Sequence, residues 1–345
     1  MEFTTQVMYL LSCFGIISCE SKDIMRDNNY MEINNNIGCI SDYLSIISEL
    51  NNSYTTQGMS NTPCSCKFLY RGISNKEYML IPAILRETHD IGITINDFID
   101  NKKYTTYSSE KDILRDFISQ ACAYIKEDPT QCLFKWAEYA QHYGVPTRFL
   151  DWTDNPLVAL YFACKEDKPD YKQKENEGIG GKHAAVWMLH LHNYRRFANR
   201  DNNNDSSDQK KKFTIYEAIN KIYEKEILFE YPLVYRPYYA DLRMSAQSSM
   251  FMVWGRKEEP FDSFFSKDNR MRSNKDDDGS RGFGTKQFDE MIFDFHIFSD
   301  RKQPILRELD LCGINERTLF PGLDGTGRYI EMKYRFDLEE AKEYF

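Results

Sequence analysis

The stretch AQHYGVPTRFLDWTDNPLVALYFA, residues 140–163, restricts the fold more than any other part of this chain. Trp136, Ala137, Tyr139 and Ala140 lead into it at helical spacing. Gly144 stands where a helix stop is expected, and Pro146 two residues on prevents continuation. Arg148 to Trp152 then reads as a short strand. Thr153-Asp154-Asn155-Pro156 is a helix start, a capping side chain followed by proline at the first helical position, and the apolar run Leu157 to Ala163 continues it. The order is helix, turn, strand, helix. Its polar residues gather at the strand end and the next helix N-terminus, where backbone N–H groups and the helix dipole favour an anion such as a phosphate.

Two other segments stand out: Phe68-Leu69-Tyr70-Arg71-Gly72 followed by Leu80-Ile81-Pro82-Ala83-Ile84-Leu85-Arg86, and GINERTLFPGLDG from Gly313 to Gly325. With residues 140–163 between them, they resemble the signatures of the FRG domain, a family of mostly bacterial proteins named for a Phe-Arg-Gly or Tyr-Arg-Gly near its start. The resemblance runs from about residue 33 into the C-terminal region. It implies one FRG-type domain over residues 33–345, preceded by a leader or disordered N-terminus over residues 1–32.

Composition sets bounds on this domain. A chain of 345 residues with 41% hydrophobic residues can bury a substantial core, as one large domain carrying insertions. Net charge −9 and a pI near 5.3 argue against a large basic surface for nucleic acid. Nine cysteines, scattered from Cys13 to Cys312, form neither a disulfide framework nor a Cys/His metal spacing. Reduced thiols in the cytoplasm, and no metal, are the expectation. Residues 1–20 are apolar and hold a lipobox-like Ile16-Ile17-Ser18-Cys19, but no Lys or Arg precedes the apolar part and Glu2 is negative. A disordered leader, or a start at Met25 or Met31, fits better than an anchor, and no later segment invites membrane contact.

Along the chain, Ile40, Tyr43, Leu44, Ile47 and Leu50 form a helical stripe, residues 51–65 read as a loop, and Lys67 to Ile73 as a strand. Ile113, Leu114, Phe117, Ile118 and Cys122 share one helix face. Lys182 to Leu191 is a nearly continuous apolar strand, typical of a sheet covered on both faces. Helical spacing returns over 216–229, and Leu233 to Pro237 reads as a strand. Arg243 and Gln247, at i and i+4, precede the apolar strand around Met250 to Trp254. Residues 288–298 read as a half-buried strand, and a helix from Pro304 ends at Gly313. Residues 167–181, 199–212 and 256–286 are polar surface insertions. The fold class is α+β, a mixed β-sheet flanked by helices. There is no Walker loop and no Rossmann pattern, and Gly325-Thr326-Gly327-Arg328 lacks the third glycine.

The order of elements also resembles the ADP-ribosyltransferase core. A first strand ends in Arg71-Gly72, a strand with Asp151 and Thr153 precedes a helix, and a later strand follows Gln247. That resemblance implies NAD as cofactor, a small nucleotide or phosphorylated ligand as partner, and a toxin or anti-phage role. Arg71, His142 and Gln247 would be catalytic, and Gly72, Arg148, Asp151 and Thr153 would hold the cofactor. The family usually carries Glu where this chain offers Gln247. Two other readings stay open. The same Arg, His and helix N-terminus would serve a non-catalytic module that binds a phosphorylated ligand or partner. Alternatively Arg148 and Asp151 form an internal ion pair and Trp152 fills the core. Convergence of Arg71, Gln141, His142, Arg148, Asp151, Thr153 and Gln247 on one concave site is expected of either ligand-binding reading.

Overall fold

The computed structural model describes residues 36–56, 68–86, 106–125, 133–165, 182–201, 215–223, 229–239, 241–265 and 292–343. The expected leader lies outside them, as do residues 167–181, 202–212 and 266–286 of the expected insertions. The fold is α+β. Its strands are β1 (Asn36–Ile37), β2 (Phe68–Ile73), β3 (Phe149–Thr153), β4 (Ala184–His190), β5 (Leu233–Tyr235), β6 (Ser249–Val253) and β7 (Ile292–Ile297). They form one seven-stranded sheet in the order β1-β7-β4-β2-β3-β6-β5. β1 and β7 run parallel and every other pair is antiparallel, so the sheet is mixed.

Burial along the strands explains why the sheet is covered on both sides. In β3, Leu150 and Trp152 belong to one apolar cluster while Phe149 belongs to another. The first cluster gathers Leu69, Leu189, Met250 and Met252 against helix α5 (Leu191–Asp201) and against Trp254 and Phe261. The rings of Trp152 and Trp254 meet Phe261 at centroid distances of 6.0 and 6.2 Å. Phe261 falls inside the segment 256–286 expected to be a surface insertion, yet it is fully buried. The start of that segment is core, because a polar run hid one aromatic anchor.

The second cluster, on the opposite face, packs Phe149, Phe251 and Val253 under α2 (Thr106–Ala121), α3 (Leu133–His142) and α6 (Ile215–Tyr223). Farther along the same face, α4 (Pro156–Cys164) lies on β2 and β4, backed by α8 (Lys302–Leu311) and α1 (Ile40–Thr56). The stop at Gly144 (φ 81°) and the start at Pro156 agree with the sequence. Helix α1 runs to Thr56 where a loop was expected from residue 51. The larger surprise is α10 (Leu323–Glu343), a helix that contains Gly325 and Gly327 in its early turns. Propensity argues against glycine there. Gly325 is nevertheless required by packing, since an added Cβ would stand 1.8 Å from the Phe320 carbonyl oxygen. Among the described residues no helix is long and apolar enough to cross a membrane.

One irregularity positions everything below. β2 pairs with β4 through six residue couples, but with β3 through a single one, Tyr70 and Thr153. Past that couple the two central strands part, and the gap lies between the two groups of helices.

Candidate functional site

A cavity of about 480 Å³ occupies this seam. Tyr70 to Ser74 of β2 and its exit, Asp151 to Thr153 of β3, the end of α3, the side of α4 and the short helix α7 (Leu242–Ala246) all contribute to its walls. Six of the seven residues expected to converge line it: Arg71, Gln141, His142, Asp151, Thr153 and Gln247. Arg148 does not. It sits 1% exposed at the foot of β3, where Nε donates to Glu110 Oε2 at 2.6 Å and Nη1 to the Trp254 carbonyl at 3.1 Å. Glu110 also accepts the Arg148 backbone N–H at 3.0 Å. The Arg148–Asp151 ion pair of the structural alternative is therefore replaced by Arg148–Glu110, and Arg148, expected to hold the cofactor, lies outside this cavity.

Arg71 bridges the gap between the diverging strands. Its Nη1 donates to the backbone carbonyl of Asp151, not to the carboxylate, and its Nε is buried with no acceptor among the described residues. Burial pushes its guanidinium down to about 10, Asp151 opposes that shift and Arg86 adds to it. Gly72 lines the cavity for a different reason. A Cβ there would lie 1.9 Å from the Ala159 carbonyl oxygen, so the residue is fixed by the close approach of α4.

The opposite wall is a chain of polar contacts. Gln141 Nε2 donates to Asp151 Oδ2 at 2.9 Å, and Thr147 Oγ1 donates to Gln141 Oε1. His142 Nε2 lies 3.3 Å from Asp241 Oδ1. Burial lowers the His142 pKa, with Arg243 acting the same way and Asp241 and Asp151 opposing, so the imidazole is neutral at neutral pH. Thr153 Oγ1 donates to the Gln247 carbonyl at 2.7 Å, and Gln247 Nε2 donates to the Leu319 carbonyl at 3.0 Å. Ser248, next to Gln247, holds φ 48°, a left-handed conformation costly for a residue with a side chain.

The α4 N-terminus differs from its expected role as an anion pole. Asn155 Oδ1 accepts from Leu157 N at 3.0 Å, Thr153 Oγ1 accepts from Asn155 N at 3.1 Å, and the Asp154 N–H donates to the Ser248 carbonyl. Pro156 has no N–H to offer. Positive charge in the cavity comes instead from side chains, Arg71 together with Arg86 and Arg243. Sequence reasoning left the last two out of the site. Both were within reach of it: Arg86 closes the apolar segment after Arg71-Gly72, and Arg243 lies one helical turn before Gln247 on the same stripe. Tyr78 and Met79, both exposed, complete the wall beside Arg86.

Comparison with protein-family models matches residues 66–172 to the FRG domain, less than a third of the chain. The match takes in Arg71, Arg86 and the 140–163 stretch, while Arg243, Gln247 and the segment from Gly313 lie outside it. No curated protein and no solved structure matches the chain.

Proposed function

The chain carries an FRG domain, and from that premise we propose that the cavity between β2 and β3 takes a nucleotide through its phosphates, with NAD as the ligand and ADP-ribosyl transfer as the reaction. One observation carries the binding half of this reading. Three arginines line one cavity of a chain with net charge −9, and Arg71 and Arg243 each keep a buried Nε–H without an acceptor among the described residues. A buried donor left unmet costs free energy, and phosphate oxygens are the acceptors that guanidinium edges fit best. The residues present therefore suit a diphosphate.

What NAD supplies when bound is a glycosidic bond to a good leaving group. The chain's own residues hold and orient it. Arg71 and Arg86 take phosphate on the β2 side and Arg243 on the α7 side. Asp151 is the one carboxylate among the described lining residues, the sign that stabilises positive charge developing on a sugar. Neutral His142 positions the acceptor. An Arg in the later half of β2, where that strand parts from β3, is the feature in favour of the ADP-ribosyltransferase-like reading. NAD consumption would suit a toxin or an anti-phage effector.

A second reading, binding without chemistry, is favoured by one detail. The Thr153 hydroxyl and the Gln247 amide are both engaged by backbone carbonyls, so a residue expected to hold the cofactor and one expected to be catalytic act as struts. Incubation of the purified protein with labelled NAD, with and without cell lysate, separates the two. Release of nicotinamide or transfer of label supports the transferase. Heat evolved on titration with NAD or ADP, with no release, supports the binding module. Neither signal at millimolar nucleotide would end both.

A further inference from the structure

Arg243 makes few hydrogen bonds for a half-buried cation. Its Nη1 reaches the His142 carbonyl only at 3.5 Å, and its Nε has no acceptor among the described residues. The guanidinium lies over a ring, with Cζ 4.6 Å from the Phe320 centroid, while Asp151, Asp241 and Glu316 act on it through charge. A stack on an aromatic face fixes the plane of a guanidinium and leaves its edge N–H groups available. Hydrogen bonds to the protein would have consumed them.

Phe320 is itself held on several sides. It follows α9 (Glu316–Leu319), and its N–H donates to the Glu316 carbonyl at 3.0 Å. The neighbouring Leu319 carbonyl accepts from Gln247, and the Phe320 ring meets Phe162 of the cavity wall edge-on at 6.0 Å. Gly325 closes behind its carbonyl. Glu316, 4% exposed, binds Lys165 at the end of α4 and Arg328 of α10, the latter at 3.2 Å. Those two cations also approach the Phe320 ring, at 4.4 and 5.2 Å, but both are already bonded to Glu316. Arg243 is the ring's remaining partner, and it alone of the three lines the cavity.

We infer that Phe320 is a positioning residue of the anion site: it stacks Arg243 so that the guanidinium edge meets the ligand phosphate, and the segment 315–328, outside the FRG match and behind the cavity wall, thereby acts on the site through Arg243. This rests on the nucleotide reading of the cavity. The alternative is that Phe320 only fills space between α4 and α10.

Phe320→Leu keeps the apolar bulk and removes the π face, whereas Phe320→Tyr keeps the face. Titration calorimetry with ADP should show roughly tenfold weaker binding for Phe320→Leu and near wild-type binding for Phe320→Tyr. In an Arg243→Gln background, Phe320→Leu should have no further effect. Wild-type affinity in Phe320→Leu, or an equal loss in both backgrounds, would overturn the inference while leaving the nucleotide reading intact. Wild-type protein that takes up no ADP would instead overturn the nucleotide reading. The stack has a ligand-free readout should Phe320→Leu not fold. The Arg243 Nε–H proton should resonate upfield of the ordinary arginine position in wild type and in Phe320→Tyr, and an unshifted signal in wild type would refute the stack.

Discussion

Arg148, just before β3, and Arg71, in the neighbouring β2, have surroundings that make opposite uses of the same side chain. Under α2 and α3, Arg148 is 1% exposed and bonded to both oxygens' worth of Glu110, once through its backbone and once through Nε. In the seam, Arg71 has a backbone carbonyl for a partner and an Nε–H with no acceptor among the described residues. The first region is closed on itself. The second is open to something with acceptors. A guanidinium becomes structural when the fold delivers a carboxylate to it, and it becomes a binding group when the fold delivers only backbone.

The largest effect expected from this contrast is at Glu110. Glu110→Ala leaves the Arg148 charge buried and unpaired, which costs about 3–5 kcal/mol, a large fraction of the 5–15 kcal/mol typical of a whole domain. Urea unfolding should show the midpoint collapse, and an apolar pair, Glu110→Leu with Arg148→Met, should recover most of the loss. An unchanged midpoint in Glu110→Ala would erase the distinction between the two regions.

Arg71→Gln tests the other side. One charge-assisted bond to a carbonyl is lost and an amide can replace part of it, so stability should fall by only about 1–2 kcal/mol. ADP binding should fall by about tenfold or more, since a charged contact to phosphate is worth about 1.5–3 kcal/mol. Calorimetry and a thermal melt of the same preparation give both numbers. If Arg71→Gln unfolds while Glu110→Ala melts normally, the roles of the two arginines are reversed.

The sequence separated these regions only in part. Helix, turn, strand and helix around residues 136–163 were legible because stop, start and cap signals are local. Convergence of Arg71 with Gln247 was legible too, since one lies in an apolar strand and the other just precedes one. The assignment of Arg148 to the site failed because Glu110 reaches it from another helix, 38 positions upstream, and no spacing announces that. Helix α10 went unread because Gly325 and Gly327 argue against a helix, whereas Gly325 is there for its close approach to the Phe320 carbonyl. Arg243 was missed because a residue held by an aromatic ring, Phe320, carries no cue beyond its position in α7.

A pH experiment sharpens the closed region further. Glu138 on α3 is 4% exposed, and burial pushes its carboxyl up from 4.5 to about 7, against the lowering effect of the Tyr235 hydroxyl that donates to it at 2.8 Å. Its folded-state pKa thus lies above the unfolded one, and the native protein holds the extra proton between them. That contribution is full below about 4.5 and is lost as the pH rises through 7. Glu138→Gln removes the titration and should stabilise the protein at pH 8 by about 3 kcal/mol with little change at pH 4. Urea midpoints of the two proteins at both pH values check this. A Glu138→Gln midpoint below wild type at pH 8 would mean that the carboxylate has a partner in the closed region that the contrast does not allow.

The smallest expected effect lies in the open region, at Asp151. Its side chain is exposed in the cavity and accepts one hydrogen bond from Gln141, which an asparagine carbonyl can also accept. Asp151→Asn should therefore leave the melting temperature nearly unchanged, as surface substitutions away from special features do. Its charge is another matter, since among the described residues that line the cavity it is the one carboxylate beside three arginines. Removing it takes away repulsion toward a phosphate, and partly screened charges a few ångströms apart are worth about 0.5–1 kcal/mol, so ADP should bind about threefold tighter. The same variant bears on chemistry: if Asp151 stabilises positive charge on a sugar, NAD turnover falls while nucleotide affinity rises. Tighter binding with unchanged turnover would leave Asp151 a mere counter-charge. Weaker binding would place the carboxylate in contact with the ligand, and the open region would then be read by its acid as well as by its arginines.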